Sequence, residues 1–182
     1  MKSLCVFCGS SAGRRADYAA SSRRMADLLV RRKITLIYGG AARGLMQVLA
    51  DGVLAGGGRV VGVIPRALVD REIAHQGLSE LFVVGSMHER KQRMAELSEA
   101  FAVLPGGLGT LDETAEQLTW AQLGLHRKPC GLLNVAGFFD PLLRFFDHAT
   151  AEGFVTAEAR RLLLVDEDPE RLLDRLALSI TG

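Results

Sequence analysis

Residues 100–113 read AFAVLPGGLGTLDE: a short apolar run, a proline and three glycines, then a segment that opens like a helix. Strand, glycine-rich turn and helix in that order form the repeating unit of an α/β sheet. The rest of the chain repeats it. Short β-branched or apolar runs recur at SLCVFC (3–8), ITLIY (34–38), VVGVIP (60–65), LFVVG (81–85), CGLLN (130–134) and LLLV (162–165), with segments of helical period between them. In YAASSRRMADLLVRR (18–32), Tyr18, Met25, Leu28 and Leu29 share one face, with arginines and Asp27 left for the wet side. The final PERLLDRLAL (169–178) carries a helix signature that continues to Ile180. Parallel strands joined by such helices place their loops at the carboxyl edge of the sheet, where open α/β folds bind ligands.

At 182 residues and 48% hydrophobic, the chain suits one buried core, so a single domain over residues 1–182 is expected. The formal charge of +1 gives no bulk electrostatic reason for nucleic-acid or membrane binding, and any anion site must be local. No apolar stretch has the length of a membrane span or a secretory leader, which points to a soluble cytoplasmic protein. Cys5 and Cys8 form a C-x-x-C, but their odd separation on a strand sends the side chains to opposite faces, and Cys130 stands alone. Buried thiols are expected rather than a metal or redox centre. His75, His88, His126 and His148 have no metal-ligand spacing.

Four strand ends carry the polar chemistry: CGSSAG (8–13), YGGAARGLM (38–46), VGSMHERK (84–91) and PGGLGTLDE (105–113). Glycines converging on one edge suggest that backbone approaches a ligand closely, and free amides at a helix start suit a phosphate. Gly9, Ser10, Gly39, Gly40 and Met87 fall in these loops. CGSSAG is not G-x-G-x-x-G, and the second run ends in Tyr38-Gly39-Gly40 where a ribose-binding carboxylate belongs, so a dinucleotide site is not expected. No loop runs into the Gly-Lys-Ser/Thr of a Walker A motif. The stretch Pro65–Ser79 is the longest without a clear pattern and is read as a lid or pocket wall.

Ser86-x-x-Glu89 is a capping box, which puts Arg90 in the first turn of its helix. Arg90, Lys91 and Arg93 read either as a solvated basic face or as a site; an arginine at the positive end of a helix calls for an anionic partner. Thr110-x-x-Glu113 reads as a second capping box, which would explain Glu113 structurally. Yet Asp112 and Glu113 repel any phosphate held at Gly106, Gly107 and Gly109. A carboxylate set one sugar-length from a phosphate has a chemical use, stabilising an oxocarbenium ion or activating water at an anomeric carbon.

VFCGSS, IYGGAARGLM, GVIP, SMHERKQRM, LPGGLGTLDE, TWAQLG and KPCGLLN, in order from Cys5 to Phe154, resemble the Lonely Guy family of cytokinin-activating phosphoribohydrolases. The family's paired signatures, R-K-x-x-M and P-G-G-x-G-T-x-x-E, stand here as Arg90–Met94 and Pro105–Glu113. The resemblance implies a Rossmann-like, doubly wound parallel sheet with helices on both faces. It also implies hydrolysis of the N-glycosidic bond of adenosine-type 5'-monophosphates to free base and ribose 5-phosphate, without a metal or redox cofactor. Carried onto this chain, the catalytic arginine and glutamate fall on Arg90 and Glu113. Gly106, Gly107, Gly109 and Thr110 then cradle the phosphate, and Lys91 joins the substrate contacts. In this reading Arg90 holds Glu113 ionised and touches ribose or phosphate. Two positions depart from the family pattern: Ala41 adds a Cβ where positive φ is expected, and Gln47 adds bulk one turn into a helix. Homodimers are common in the family, and Leu118, Trp120, Leu123 and Leu125 read as either a core face or a subunit contact. Two other readings remain: a pyridoxal-phosphate lysine decarboxylase, which lacks a suitable lysine beyond Lys91, and a nucleotide or cofactor carrier, which needs the glycines but not Glu113.

Overall fold

In a computed structural model, which describes residues 1–69 and 74–181, each of the apolar runs is a strand. The elements run β1 (Ser3–Phe7), α1 (Ala16–Arg31), β2 (Thr35–Tyr38), α2 (Gly44–Ala55), β3 (Val60–Pro65), β4 (Glu80–Val84), α3 (Met87–Glu96), β5 (Ala100–Val103), α4 (Leu108–Gln122), β6 (Cys130–Leu133), α5 (Asp140–Ala151), α6 (Ala157–Arg161), β7 (Leu163–Asp166) and α7 (Pro169–Thr181). The strands form one 7-stranded sheet in the order β4-β3-β2-β1-β5-β6-β7. All pairings are parallel, and Cys5 of β1 sits opposite Ile37 on one side and Phe101 on the other.

Both faces of the sheet are covered, which is why its strands read as continuous apolar runs rather than alternating ones. Leu4, Val6, Leu36, Tyr38, Ala100 and Ala102 point into a core layer shared with Met25 and Leu29 of α1, Leu49 of α2 and Leu172 and Leu176 of α7. Cys5, Phe7, Ile37, Val61, Val63, Phe101 and Val103 point the other way, against Met94 of α3, Leu118 and Trp120 of α4 and Phe146 of α5. The strand period of two thus sends Cys5 and Cys8 to opposite layers, as expected. Both thiols and Cys130 are buried and free.

Close packing explains the crossovers. A Cβ on Gly52 of α2 would come within 2.8 Å of the Ala26 methyl of α1, so these two helices approach to the limit their small residues allow. Asp168 caps α7, its Oδ1 accepting from the amides of Glu170 at 2.9 Å and Arg171 at 3.0 Å. Leu172, Leu173 and Leu176 are each 0% exposed, and at about 2 kcal/mol per buried leucine they hold α7 to the sheet.

The strand order reverses between β1 and β5, and a crevice opens at the carboxyl ends of these two neighbours. The described parts of Pro65–Ser79 do not wall that crevice. Ala74 makes an antiparallel bridge to Ala41, and the His75 amide donates to the Gly40 carbonyl at 3.0 Å, so the segment folds against the loop after β2. The rest of the expected lid, residues 70–73, lies outside the described residues.

Candidate active site

The crevice holds a cavity of about 180 Å³ bounded by the end of β1, Gly39 after β2, one side of α3 and the first two turns of α4. Of the residues singled out from sequence, Gly9, Ser10, Gly39, Met87, Arg90, Gly107, Gly109, Thr110 and Glu113 line it. Gly40, Lys91 and Gly106 do not.

Arg90 owes its place to the start of α3. The Ser86 hydroxyl accepts from the Glu89 amide at 3.1 Å, and the Glu89 carboxylate accepts from the Gly85 amide at 2.7 Å. The box therefore closes one residue further back than the usual geometry, which would use the Ser86 amide. With the helix start fixed, Arg90 turns toward the sheet and is only 6% exposed. Its Nε donates to the Val63 carbonyl at 3.1 Å and its Nη2 to the Gly39 carbonyl at 3.0 Å. Where the sequence calls for an anionic partner, the described residues supply two main-chain carbonyls, one inside β3 and one just past β2, and Nη1 lies 3.9 Å from the Met87 sulfur. Gly39 is required by this arrangement, because a Cβ there would overlap Nη2 of Arg90.

Glu113 corrects the second capping box. The N-cap of α4 is Gly107, no side chain caps it, and the first turn holds no acidic residue. Thr110 is already inside the helix, and its hydroxyl sits where a Cβ of Gly106 would be. Starting at Leu108, the helix carries Glu113 in its second turn, where it lines the cavity. Burial, and then the nearby charge of Glu113, push the Cys5 and Cys8 thiols well up, so both stay protonated behind the site. The amides at the start of α4 have no side-chain cap and border the same cavity.

The glycines divide into two groups. Gly9, Gly39, Gly44 and Gly106 are hemmed in by the protein itself, and Gly40 adopts φ +77 at a turn. The expectation that all of them admit a ligand is therefore too broad. Gly107 and Gly109 differ, since a Cβ on either would meet nothing within 4 Å among the described residues. Protein packing does not explain these two, which lie where an anion would approach the helix.

Asp112 also lines the cavity, whereas Lys91 does not. Lys91 Nζ lies 3.2 Å from Asp112 and 3.0 Å from Glu116, across the gap between α3 and α4. Burial alone would lower the Lys91 pKa, but hydrogen bonds to Glu116 and Asp112 outweigh it and hold the ammonium charged. Ala41 is buried without left-handed backbone; the loop's positive φ angles fall on Gly40 and Gly44, and Gln47 is exposed. Neither departure enters the cavity lining. Sequence reasoning missed Met46 and Met94, two buried thioethers in that lining. Helical spacing marks both as core, and nothing in a single sequence marks them as pocket.

Comparison with known proteins gives the family and the fold. A family model described as "Possible lysine decarboxylase" matches residues 46–176. The chain is 48% identical to a "Probable cytokinin riboside 5'-monophosphate phosphoribohydrolase" of Oryza sativa subsp. japonica, over 95% of this chain and 78% of that one. It is 46% identical to a cytokinin riboside 5'-monophosphate phosphoribohydrolase of Arabidopsis thaliana, over 96% of this chain and 81% of the relative. Among solved structures, the molybdenum cofactor carrier protein of Chlamydomonas reinhardtii superposes with a TM-score of 0.75, covering 100% of this chain and 99% of that one at 20% identity. That likeness is one of fold alone.

Proposed function

The chain belongs to the Lonely Guy family of cytokinin riboside 5'-monophosphate phosphoribohydrolases, and from that membership we propose that it cleaves the N-glycosidic bond of adenosine-type 5'-monophosphates. The products are free base and ribose 5-phosphate. The observation that carries the reading is the convergence of Arg90, Glu113 and the uncapped start of α4 on one cavity.

In this reading the 5'-phosphate sits against the amides that follow Gly107, where open glycines let it approach and the helix dipole favours its charge. Ribose C1' then lies toward Glu113. As the bond from C1' to the base nitrogen breaks, its electron pair leaves with the base, which takes up a proton. Positive charge develops on the sugar, where the Glu113 carboxylate stabilises it and orients the water whose oxygen bonds to C1'; the proton that this water sheds balances the one the base takes up. Arg90, fixed by two carbonyls, presents its remaining N–H groups to the ribose or phosphate.

The lysine decarboxylase description implies a pyridoxal phosphate held as a Schiff base. Among the described residues no lysine lines the cavity, and Lys91 is held charged between two carboxylates. The site does not fit that cofactor. A carrier needs the glycines but not Glu113, whereas hydrolysis gives that carboxylate a role in the cavity it lines.

Prenylated adenosine monophosphate and plain AMP both fit the chemistry, and we read the enzyme as a cytoplasmic homodimer. Three buried free thiols suit a reducing compartment. For the dimer, Leu118 and Trp120 turn out to pack on the core, while Leu123 and Leu125 are 68% and 69% exposed beyond the end of α4.

The test is chromatographic detection of free base and ribose 5-phosphate from AMP and from isopentenyladenosine monophosphate, with the unphosphorylated riboside as control. Release from the monophosphates alone, lost in Arg90→Ala and Glu113→Ala variants that still fold, is expected. Tight AMP binding by an inert wild type would sink the hydrolase and favour the carrier.

A further inference from the structure

The sequence assigns Arg90 and Lys91 to one ligand, but the structure turns them in different directions. Arg90 is bonded to carbonyls of β3 and of the loop just past β2, and Lys91 reaches across to α4. Its two partners, Asp112 and Glu116, lie one turn apart on the same side of α4 and bracket Glu113 in sequence. The Lys91 side chain is 9% exposed, and that of Glu116 is 19% exposed. Glu116 depends on this contact, because its second oxygen, Oε2, is buried with no hydrogen-bond partner among the described residues. Asp112, whose side chain is 59% exposed, lines the cavity, but neither Lys91 nor Glu116 does, so the buried part of the cluster is the Lys91–Glu116 pair.

We propose that Lys91 is a positioning residue, a clamp that fixes the turn of α4 bearing Glu113 at a set distance from the helix bearing Arg90, and that it does not contact the substrate. The proposal rests on the hydrolase reading for its catalytic consequence. The physical ground is that a pair of charges taken largely out of water holds its geometry firmly, and removing one partner leaves the other buried and uncompensated. Two successive residues of α3 thereby fix both sides of the cavity: Arg90 ties the helix to the sheet, and Lys91 ties it to the neighbouring helix.

The experiment uses the full chain as Lys91→Met, Lys91→Arg, Glu116→Gln and the Lys91→Met/Glu116→Gln double variant, with AMP as substrate. For Lys91→Met, kcat is expected to fall by about 10- to 100-fold, the range in which small misplacements of reacting groups are felt, with KM moving less than about threefold. Glu116→Gln should lower kcat in the same way although it touches no ligand. The double variant should be no worse than Lys91→Met, and Lys91→Arg should recover most of the rate. A raised KM with kcat retained, or additive losses in the double variant, would show that Lys91 grips the phosphate and would overturn the clamp.

Amide hydrogen exchange over residues 108–114 supplies a readout independent of turnover. It should quicken in Lys91→Met and return toward wild type in Lys91→Arg. If wild type proves inert toward every monophosphate yet shows this exchange pattern, the hydrolase reading fails and the clamp stands. Unchanged exchange in Lys91→Met would overturn the clamp whatever the activity.

Discussion

Gly39→Ala adds a single methyl group where the structure has no room for one. The new Cβ would overlap Nη2 of Arg90 and come within 2.6 Å of the Met46 terminal methyl. Met46 is a flexible side chain and gives way at small cost. Arg90 has less freedom: it is 6% exposed and already donates to the carbonyls of Gly39 and Val63. Making room means giving up the bond to the Gly39 carbonyl and swinging the guanidinium into the cavity. A hydrogen bond involving a charged group contributes about 1.5–3 kcal/mol, so stability should fall by that order. The catalytic effect should be larger, because a displacement of about 1 Å at a catalytic group commonly costs about 10²-fold in rate. The assay is base release from AMP, with kcat and KM determined separately and urea denaturation run beside it. A folded Gly39→Ala protein that keeps kcat within about threefold of wild type would refute the claim that bare backbone at position 39 sets the arginine's position.

Asp168→Ala removes the cap of α7 and should cost about 1 kcal/mol in urea denaturation at neutral pH. Amide donation from Arg171, followed by the Arg24 pair, holds the Asp168 carboxyl below its ordinary 3.8. Its contribution is therefore present above that value and lost as pH falls through the lower folded pKa, so the deficit of the variant should shrink in acid. For quaternary structure, Leu123→Asp/Leu125→Asp should convert a dimer to a monomer in light scattering without loss of helix content; an unchanged mass would place the subunit contact elsewhere.

Most of the fold was legible in the sequence because parallel strands buried on both faces leave uninterrupted apolar runs, and every one of those runs is a strand. Their edges were less legible. The run read as 34–38 begins at Thr35, and that read as 162–165 is shifted to Leu163–Asp166, since hydrophobicity does not record which residues pair. At the site, Arg90 was placed correctly by its capping serine, a local signal. For Glu113 the capping alternative fails and the site alternative stands: Thr110 and Glu113 have the spacing of a cap, but the glycines let α4 start at Leu108 and carry both residues inside it, with Glu113 in the cavity lining. The partners of Arg90 and Lys91 come from β2, β3 and α4, and such long-range contacts have no local signature in one sequence.

The anchoring of Arg90 has a consequence for when activity can exist. Its two carbonyl partners lie 27 and 51 residues earlier in the chain, one within β3 and one just past β2. No isolated helix or single strand can assemble that set, and with Glu113 on α4 beyond β5 the cavity also needs the other half of the sheet. The guanidinium reaches its place only once β2 and β3 are paired and α3 is laid against them, which makes the cavity a property of the completed sheet. A partly folded chain, or one whose β3 edge has opened, carries the same side chains with no geometry to use them. Hydrolysis would then be switched on by folding itself, and turnover would serve as a sensitive gauge of how intact the centre of the sheet is.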